Sequence, residues 1–428
     1  MRAVGIKTCD TVPPKTLALP NAVEASVAAV VKGCDGQLLP KGSMIFATST
    51  HRQRWLFSPG RLQEIRDQLN KGGTGLEFNS NGSISSLGSG AGAGKRGKAP
   101  VTLEEEQQLL HFYESKVATI CVQLRLPKKV QATALTYFKR YHLTHSCLEA
   151  DPFRTLLTCI YMAAKIEEAY LSAEELCRVA QRDASVVLRA EITLLQGLHF
   201  DLVVHSPYRA LAGLLQDIKD LTAEARASAP GANAPEGSGA GAAAHSLLDP
   251  DLLAASPETM AQCRAKATAA VDTLMLTDAP LLYPPGSIAL AALRSGLRAR
   301  GLSCTRYLHR LAAQVAEGVG SDDAADVATE SAVAAAAAQL TQMMEEVDRL
   351  GVQGMRKLEQ QEVAEIDRRI KAWRASDPLQ DPTSDEAKQA AAAEAAAKAA
   401  KRDAKLRERK HRAAAEEARL LGAGQGGQ

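Results

Sequence analysis

Two charged residues, Lys165 and Glu191, stand where the helical pattern of the chain leads us to expect apolar ones. Glu191 lies four residues after Val187 and three before Leu194, inside an apolar helical stripe. A carboxylate buried without a partner is costly, so we expect Glu191 to have one. A charge pair on an apolar surface orients a protein interface, while the apolar residues supply affinity. The chemistry that these residues indicate is recognition of another protein.

A second interpretation of these residues remains open from their types and spacing. Lys165 could pair with Glu168 one turn further along the same helix. Such a contact stabilises a helix by roughly a few tenths of a kcal/mol. Glu191 would then lie half exposed at the edge of its stripe, and neither residue would have a role in binding.

Other candidate chemistry is weaker. His142 and His145 have an H-x-x-H spacing but no acidic or cysteine ligands beside them, so we predict no metal site. Glu167 and Glu168 directly follow Lys165 and are expected to cap charge or face solvent. The GAGAG at 90–94 has no preceding strand, so it is not a phosphate-binding loop. The sequence contains no P-loop, G-x-S-x-G or H-E-x-x-H motif. We therefore predict no enzyme and no cofactor.

Composition limits the remaining classes. A chain of 428 residues is long enough for two or three domains. The net charge of +2 gives no overall bias toward nucleic acid or membrane. No apolar run reaches the ~18 residues that a membrane span needs. The eight cysteines include no C-x-x-C pair, so we expect reduced thiols in an intracellular compartment. The start of the chain lacks the pattern of a secretory signal.

The elements that would position these residues are helices. An aromatic content of 4% and abundant alanine favour helix over sheet, so the predicted fold class is all-α. Start signals recur along the chain, as a capping side chain or as proline at the first helical position. They occur at Ser58-Pro59, Thr102, Asp151-Pro152, Ser172 and Pro207. Ser172 begins S-A-E-E, which predicts a capping box with Glu175.

An internal repeat sets the predicted domain organisation. Twice a helix ends near Thr, a short loop ends in Pro, and an Ala-rich helix follows, which predicts two tandem helical repeats. The predicted segments are a disordered extension at 1–43, an N-terminal helix segment at 44–70, a flexible linker at 71–100, a first repeat at 101–202, a second repeat at 203–315 with a low-complexity insertion at 222–257, a C-terminal helical region at 331–376 and a charged Ala-rich tail at 377–428. Met1 and Met44 are both candidate starts.

Two basic segments have alternative interpretations. Arg54, Trp55 and Phe57 interleave charge with aromatic rings, a pattern that can bind nucleic acid. We favour instead a segment that docks on its own domain, and Ser58-Pro59 beside it is also a minimal proline-directed phosphorylation site. The run from 401 to 412 is either solvated charge or a nuclear-import signal with candidate residues Lys401, Arg402, Lys405, Arg407, Arg409 and Lys410.

The stretches DPFRTLLTCIYMAAKIEEAYLSAEEL and AEITLLQGLHFDLVVHSPYR resemble the cyclin family. A-A-K-I-E-E matches the family's small-small-Lys-x-x-Glu helix, and Glu191 falls at the family's Glu, before its L-x-x-L-x-F-x-L run. The resemblance implies two tandem five-helix cyclin boxes flanked by N- and C-terminal helices. It further implies a face that binds a cyclin-dependent kinase around its regulatory C-helix, with the residues Lys165, Glu191, Ile166, Leu195, Phe200 and Leu202.

Further stretches resemble the cyclins of the CDK-activating kinase: HRQRWLFS, EEEQQLLHFYESKV, ALTYFKRYHLTHS, VVHSPYRAL and LTDAPLLYPPGSIALAAL. The similarity covers roughly 44–70, 101–221 and 258–310. It implies a nuclear regulatory subunit that activates such a kinase, a RING-finger assembly factor as third subunit, and a place in transcription factor IIH, where the kinase phosphorylates the RNA polymerase II tail. No direct nucleic-acid or membrane partner is expected.

Two alternatives stay open. One is another transcriptional cyclin, of the C, K, L or T type. The other is a DNA-bound general factor with the cyclin fold, as in transcription factor IIB. That alternative predicts a zinc ribbon and a strongly basic face, and the absence of cysteine pairs and a net charge of +2 argue against it.

Overall fold

The structure is a computed structural model that describes residues 46, 48–70, 76–78, 84–86, 100–227, 247–318, 330–354, 356, 358–375 and 407. The helices are α1 Thr50–Trp55, α2 Pro59–Asn70, α3 Leu103–Gln123, α4 Lys128–Tyr141, α5 Pro152–Ile166, α6 Ala173–Val179, α7 Ala184–Gly197, α8 Pro207–Ala227, α9 Pro250–Ala254, α10 Pro257–Met275, α11 Ala279–Leu282, α12 Pro285–Arg298, α13 Thr305–Gly318, α14 Glu330–Gln353 and α15 Gln360–Ala375; the strands are β1 Leu76–Phe78 and β2 Ile84–Ser86.

The chain forms two compact units. The first comprises Met1–Lys95 and Thr102–Glu359, and it holds α1 to α14. The second comprises Arg96–Val101 and Gln360–Gln428. Within the second unit, Arg369 donates a hydrogen bond to the carbonyl of Pro100 at 3.1 Å. The predicted extension at 1–43 lies outside the described residues, as does the predicted tail apart from residue 407.

The predicted helix starts are present. Thr102 and Glu105 form a reciprocal capping box at the start of α3. The side chain of Asp151 accepts from the backbone N–H of Phe153, with Pro152 as the first residue of α5. The hydroxyl of Ser172 accepts from the backbone N–H of Glu175, which is one half of the predicted box. Local capping chemistry therefore fixes these boundaries.

The first repeat consists of α3 to α7, and α5 lies at its centre. This helix packs against α3, α4, α6 and α7, because apolar residues surround most of its circumference. Its fully buried residues include Leu156, Leu157 and Ile160. A close approach also joins α4 and α7, since a Cβ on Gly197 would lie 2.6 Å from the ring of Tyr141.

The second repeat has the same plan with α8, α10, α12, α13 and α14. Its central helix, α12, packs against α8, α10 and α14, as α5 does in the first repeat. Beyond the predicted end at 315, α14 packs on α12 as a fifth helix and buries Leu340, Met344 and Val347. Within the predicted insertion at 222–257, α8 continues to Ala227, and α9 spans Pro250–Ala254.

Two further features are a pair of short strands and the state of the cysteines. Strands β1 and β2 pair antiparallel, with Glu77 opposite Ser85, within the segment predicted as a linker. All described cysteines are buried, and none of them forms a disulfide bond. Among the described helices, none combines the length and the apolar character needed to cross a bilayer.

The N-terminal helices hold the two repeats together. Leu62, Ile65 and Leu69 of α2 form a buried apolar cluster with Leu143 from the first repeat and Leu281 from the second. Beside this cluster a bidentate ion pair joins α2 to the residue before α11. Its shorter contact, between Arg66 Nη2 and Asp278 Oδ1, is 2.6 Å long. The docking of α2 therefore depends on residues from both repeats.

Candidate protein-binding face

The structure brings Lys165 and Glu191 together at the surface of the first repeat. The Nζ atom of Lys165, in the last turn of α5, lies 2.6 Å from Oε1 of Glu191 on α7. The two side chains are 40% and 23% exposed. Partial burial opposes the charge on Lys165, but the hydrogen bond and charge of Glu191, with Tyr161, outweigh it and raise the Lys165 pKa. Lys165 also lies 4.4 Å from the ring centroid of Tyr161.

The alternative pairing of Lys165 with Glu168 is not formed. Helix α5 ends at Ile166, and Glu167 is its C-cap. Glu168 then adopts a left-handed backbone with φ of 55°, so it no longer lies one helical turn from Lys165. The partner of Lys165 is therefore 26 residues away in sequence. The predicted partner for Glu191 is present, and it comes from the neighbouring helix.

Exposed and half-buried apolar residues follow Lys165 on the chain, share α7 with Glu191 and lie in the turn after α7. Ile166 and Phe200 are exposed, and Leu195 and Leu202 are half-buried, so the four predicted apolar positions reach the surface. The structure adds exposed residues that sequence reasoning missed, namely Leu188, Ile192, Tyr170 and Val203. Leu188, Ile192 and Leu195 share one face of α7 with Glu191, so their helical spacing was the available signal. We call this set, with Lys165 and Glu191, the apolar face.

A strained turn presents Phe200. His199 and Phe200 have φ values of 51° and 59°, so two successive residues adopt the left-handed conformation after α7. The Phe200 side chain is 62% exposed as a result. The chain is then held by Tyr137, whose hydroxyl donates to the carbonyl of Leu202 at 2.5 Å. Contacts to the buried helix α4 therefore keep the turn in place.

The predicted docking segment packs on its own domain. Trp55 is fully buried, and its Nε1 donates to Asp201 Oδ2 at 3.0 Å. Arg54 makes an ion pair of 3.2 Å with the same carboxylate. Phe57 is half-buried beside Leu281, to whose carbonyl its backbone N–H donates at 2.9 Å. Since Trp55 has no free ring face, this segment is not a platform for stacking nucleic-acid bases.

A buried arginine supports this segment, and sequence reasoning missed it. The guanidinium of Arg140 lies 5.0 Å from the ring centroid of Trp55 and donates to the carbonyl of Asp201 at 3.2 Å. Complete burial lowers the Arg140 pKa to about 9, although the charges of Tyr137 and Asp201 oppose the shift. In the sequence, Arg140 is one of several basic residues in KRYH, so nothing marked it as buried.

The structure also describes some of the remaining candidate residues. His142 Nδ1 lies 3.0 Å from the carbonyl of His145, and no group of three metal-ligating side chains occurs in the described part of the chain. Glu167 accepts from the hydroxyl of Thr133 at 2.6 Å. Of the nuclear-import candidates only Arg407 belongs to the described residues, and it is exposed. The others lie outside them.

Two consecutive five-helix repeats, with a charge pair between the third and fifth helices of the first, define a protein of the two-box cyclin class. Comparison with known families agrees. The model described as "Cyclin, N-terminal domain" matches residues 105–203, and that described as "Cyclin C-terminal domain" matches 206–351. The second match includes α14, in keeping with its place as a fifth helix.

Proteins of similar sequence include cyclins of the H type. Cyclin-H1-1 of Arabidopsis thaliana is 36% identical over 283 residues, which are 63% of this chain and 76% of that protein. Cyclin-H of Xenopus laevis is 29% identical over 213 residues, covering 48% of this chain and 56% of that protein. A chain in the solved yeast TFIIK (Kin28/Ccl1/Tfb3) complex superposes with a TM-score of 0.47 and 24% identity, covering 71% of this chain and 99% of that chain. The chain belongs to the cyclin family and is similar to its H-type members.

Proposed function

We propose that this cyclin is a regulatory subunit that binds and activates a cyclin-dependent kinase of the CDK-activating class. The observation that carries the proposal is the 2.6 Å pair of Lys165 and Glu191 within the apolar face. Clusters of exposed apolar side chains are typical of protein interaction sites, and Leu188 and Ile192 are exposed on the same side of α7 as Glu191. The proposed binding residues are Lys165, Glu191, Ile166, Leu195, Phe200 and Leu202.

The geometry of the pair suits such an interface. Both side chains are partly exposed, so each keeps hydrogen-bonding capacity for a partner's backbone while it neutralises the other. When a partner covers the face, neither charge is left buried alone, which would be costly. The surrounding apolar residues then supply most of the affinity.

The cyclin contributes no catalytic group in this mechanism. It packs against the regulatory helix of the kinase and stabilises the arrangement in which the kinase's own Lys–Glu pair and activation loop are active. The two left-handed residues that present Phe200 fix its position before binding. A preformed face reduces the entropy lost when the partner docks.

Similarity to the H-type cyclins extends the proposal to the assembly. A RING-finger assembly factor is the proposed third subunit, and transcription factor IIH the proposed larger complex. The kinase would phosphorylate activation loops of cell-cycle kinases and the RNA polymerase II tail. The second candidate function is that of another transcriptional cyclin, of the C, K, L or T type, which the same apolar face would support.

A pull-down from nuclear extract tests this function. The recovered complex is assayed on an activation-loop peptide and on a polymerase-tail peptide, with the wild-type chain and with Lys165→Glu. We expect the complex recovered with the wild-type chain to phosphorylate both substrates. We expect Lys165→Glu to abolish this activity. Activity on the tail peptide alone would favour the second candidate. Recovery of no kinase would contradict both and would make promoter-DNA binding the next test.

The proposed location is the nucleus. The basic run from 401 to 412 supplies the candidate import signal. Deleting 385–428 should reduce nuclear accumulation of a fluorescent fusion and leave kinase activation in vitro unchanged. Unaltered accumulation of the truncated chain would show that this run does not direct import.

A further inference from the structure

A second candidate binding site lies on the other flank of α7. It is a surface pocket of about 250 Å³ between α4, α5 and α7. One wall is formed by the first turns of α5, a second by α7, and Tyr141 of α4 closes one side. Its lining residues are Tyr141, Arg154, Thr155, Thr158, Ser185, Val186, Arg189, Ala190, Thr193 and Leu194.

The charged side chains in this lining all have one sign. Arg154 and Arg189 line the pocket, and no acidic residue does. Both arginines are exposed, and neither makes an ion pair within 4.0 Å or a side-chain hydrogen bond to another described residue. The guanidinium N–H groups of such an arginine can donate hydrogen bonds to a bound anion.

Asp183 lies two residues before Ser185 of this lining, and its carboxylate is already engaged. It caps α7 by accepting from the backbone N–H of Ser185 at 2.7 Å. The hydrogen bonds from the backbone and hydroxyl of Ser185 lower the Asp183 pKa, and Arg189 adds to this effect. Asp183 thus serves the helix end, and it does not line the pocket.

Neutral donors complete the lining. Burial raises the Tyr141 pKa to about 12, so its phenol keeps the proton that it can donate. The Thr193 hydroxyl makes no hydrogen bond to another residue in the described part of the chain. The hydroxyls of Thr155 and Thr158 donate to backbone carbonyls of α5, so they are not free donors. Two guanidinium groups and two hydroxyls therefore remain to bind a ligand.

These groups fit a phosphoryl dianion on a small side chain. Two arginines balance a dianion better than a carboxylate, and their planar forks match its oxygens in bidentate geometry. The pocket is smaller than the usual range of ~300–1,000 Å³ for sites that enclose drug-sized ligands. It has room for a phosphorylated serine or threonine, with the rest of a peptide lying on the surface.

We propose that this pocket binds phosphoserine- or phosphothreonine-containing peptides, with Arg154 and Arg189 gripping the phosphoryl group. The residues Ser185, Arg189 and Thr193 recur every four positions along α7, whereas Leu188, Ile192 and Leu195 form its apolar face. A bound phosphopeptide would therefore lie beside the apolar face without covering it. The site is independent of the proposed kinase interaction.

An array of peptides tests the proposal. Each peptide carries phosphoserine or phosphothreonine at its centre, and each has an unphosphorylated twin. The full-length cyclin is applied to the array, and the strongest peptide is then titrated by fluorescence anisotropy. We expect the phosphorylated form to bind at least about tenfold more tightly than its twin, as for other charge-assisted contacts to phosphate.

Matched variants locate the site. Arg154→Ala with Arg189→Ala should weaken phosphopeptide binding at least about tenfold. Arg178→Ala with Arg264→Ala removes the same charge from exposed positions outside the pocket and should leave binding within about twofold. Replacing both pocket arginines by lysine should give an affinity between those of the double alanine variant and the wild type. Lysine keeps the positive charge but lacks the planar array of N–H donors of a guanidinium group.

Three outcomes would overturn the proposal. One is equal binding of phosphorylated and unphosphorylated peptides. Another is equal loss in the pocket variant and the control variant, which would show a nonspecific charge effect. The third is displacement of the peptide by inorganic phosphate at the same concentration, which would make the free ion the ligand. Circular dichroism of each variant verifies that the helices persist.

Discussion

Trp55 Nε1 and Asp201 Oδ2 are joined by a hydrogen bond of 3.0 Å that spans 146 residues of sequence. The bond ties α1, which precedes the first repeat, to the turn that follows α7. The same turn carries Phe200 of the apolar face. The N-terminal segment therefore supports the candidate binding face from behind, although it lies far away in the chain.

Replacing Trp55 by Phe should destabilise the protein. The change removes a buried hydrogen bond to a carboxylate and leaves a small cavity, so we expect the free energy of unfolding to fall by about 2–4 kcal/mol. Urea unfolding followed by circular dichroism measures the loss. Arg54→Ala is the control, since this partly exposed partner of Asp201 should contribute only about 0–1 kcal/mol. If both changes lowered the free energy of unfolding by the same amount, the buried Trp55 would not contribute more than the partly exposed Arg54.

Exchanging the charges of Lys165 and Glu191 separates their internal role from their role in binding. Lys165→Glu alone should weaken kinase binding at least about tenfold. The double variant Lys165→Glu with Glu191→Lys re-forms the internal pair, so its melting temperature should recover while its kinase affinity stays low. Biolayer interferometry with a recombinant kinase measures the affinity. Full recovery of binding would mean that the pair makes no direct partner contact. Arg61→Glu, which breaks an exposed pair with Glu64, is the matched control.

A side chain at Gly296 is predicted to destabilise the packing of α12 on α10. A Cβ there would lie 2.7 Å from the carbonyl oxygen of Cys263 and 2.8 Å from Ala267, so α12 and α10 would have to move apart. We expect Gly296→Ala to lower the free energy of unfolding by about 1–3 kcal/mol. Gly60→Ala has open space within 4 Å and should be neutral or slightly stabilising. Thermal melts of both variants make the comparison, and an unchanged melt for Gly296→Ala would argue against close helix packing.

His142 should make stability depend on pH. Burial lowers its pKa from 6.5 to about 4, against smaller opposing effects that include the hydrogen bond to the His145 carbonyl. Because the folded pKa is depressed, the contribution of neutral His142 is fully present above about pH 6.5 and is lost as pH falls toward about 4. Unfolding free energies across this window should decline more steeply in the wild type than in His142→Gln. Parallel curves would show that His142 does not titrate on unfolding.

Much of the helical framework could be predicted because its causes are local. Capping residues such as Thr102 and Asp151 fix a helix start through bonds to residues two or three positions away. The spacing of Val187, Glu191 and Leu194 marked a charge that needed a partner. The place of α14 could not be predicted, because an acidic segment interrupts the helical pattern before it. Only packing on α12 associates this helix with the second repeat.

The kinase-binding role of the apolar face stays a prediction, whereas its geometry is visible in the structure. Sequence alone determined many helix starts, the presence of two helical repeats and the unusual charges, since their signals lie within short stretches of the chain. Only the tertiary structure decided that Lys165 pairs with Glu191 instead of Glu168, that Arg140 lies against Trp55, and that Arg154 and Arg189 line one pocket. These contacts join residues that lie 26 to 85 positions apart, and packing of the helices, not spacing along the chain, sets such distances.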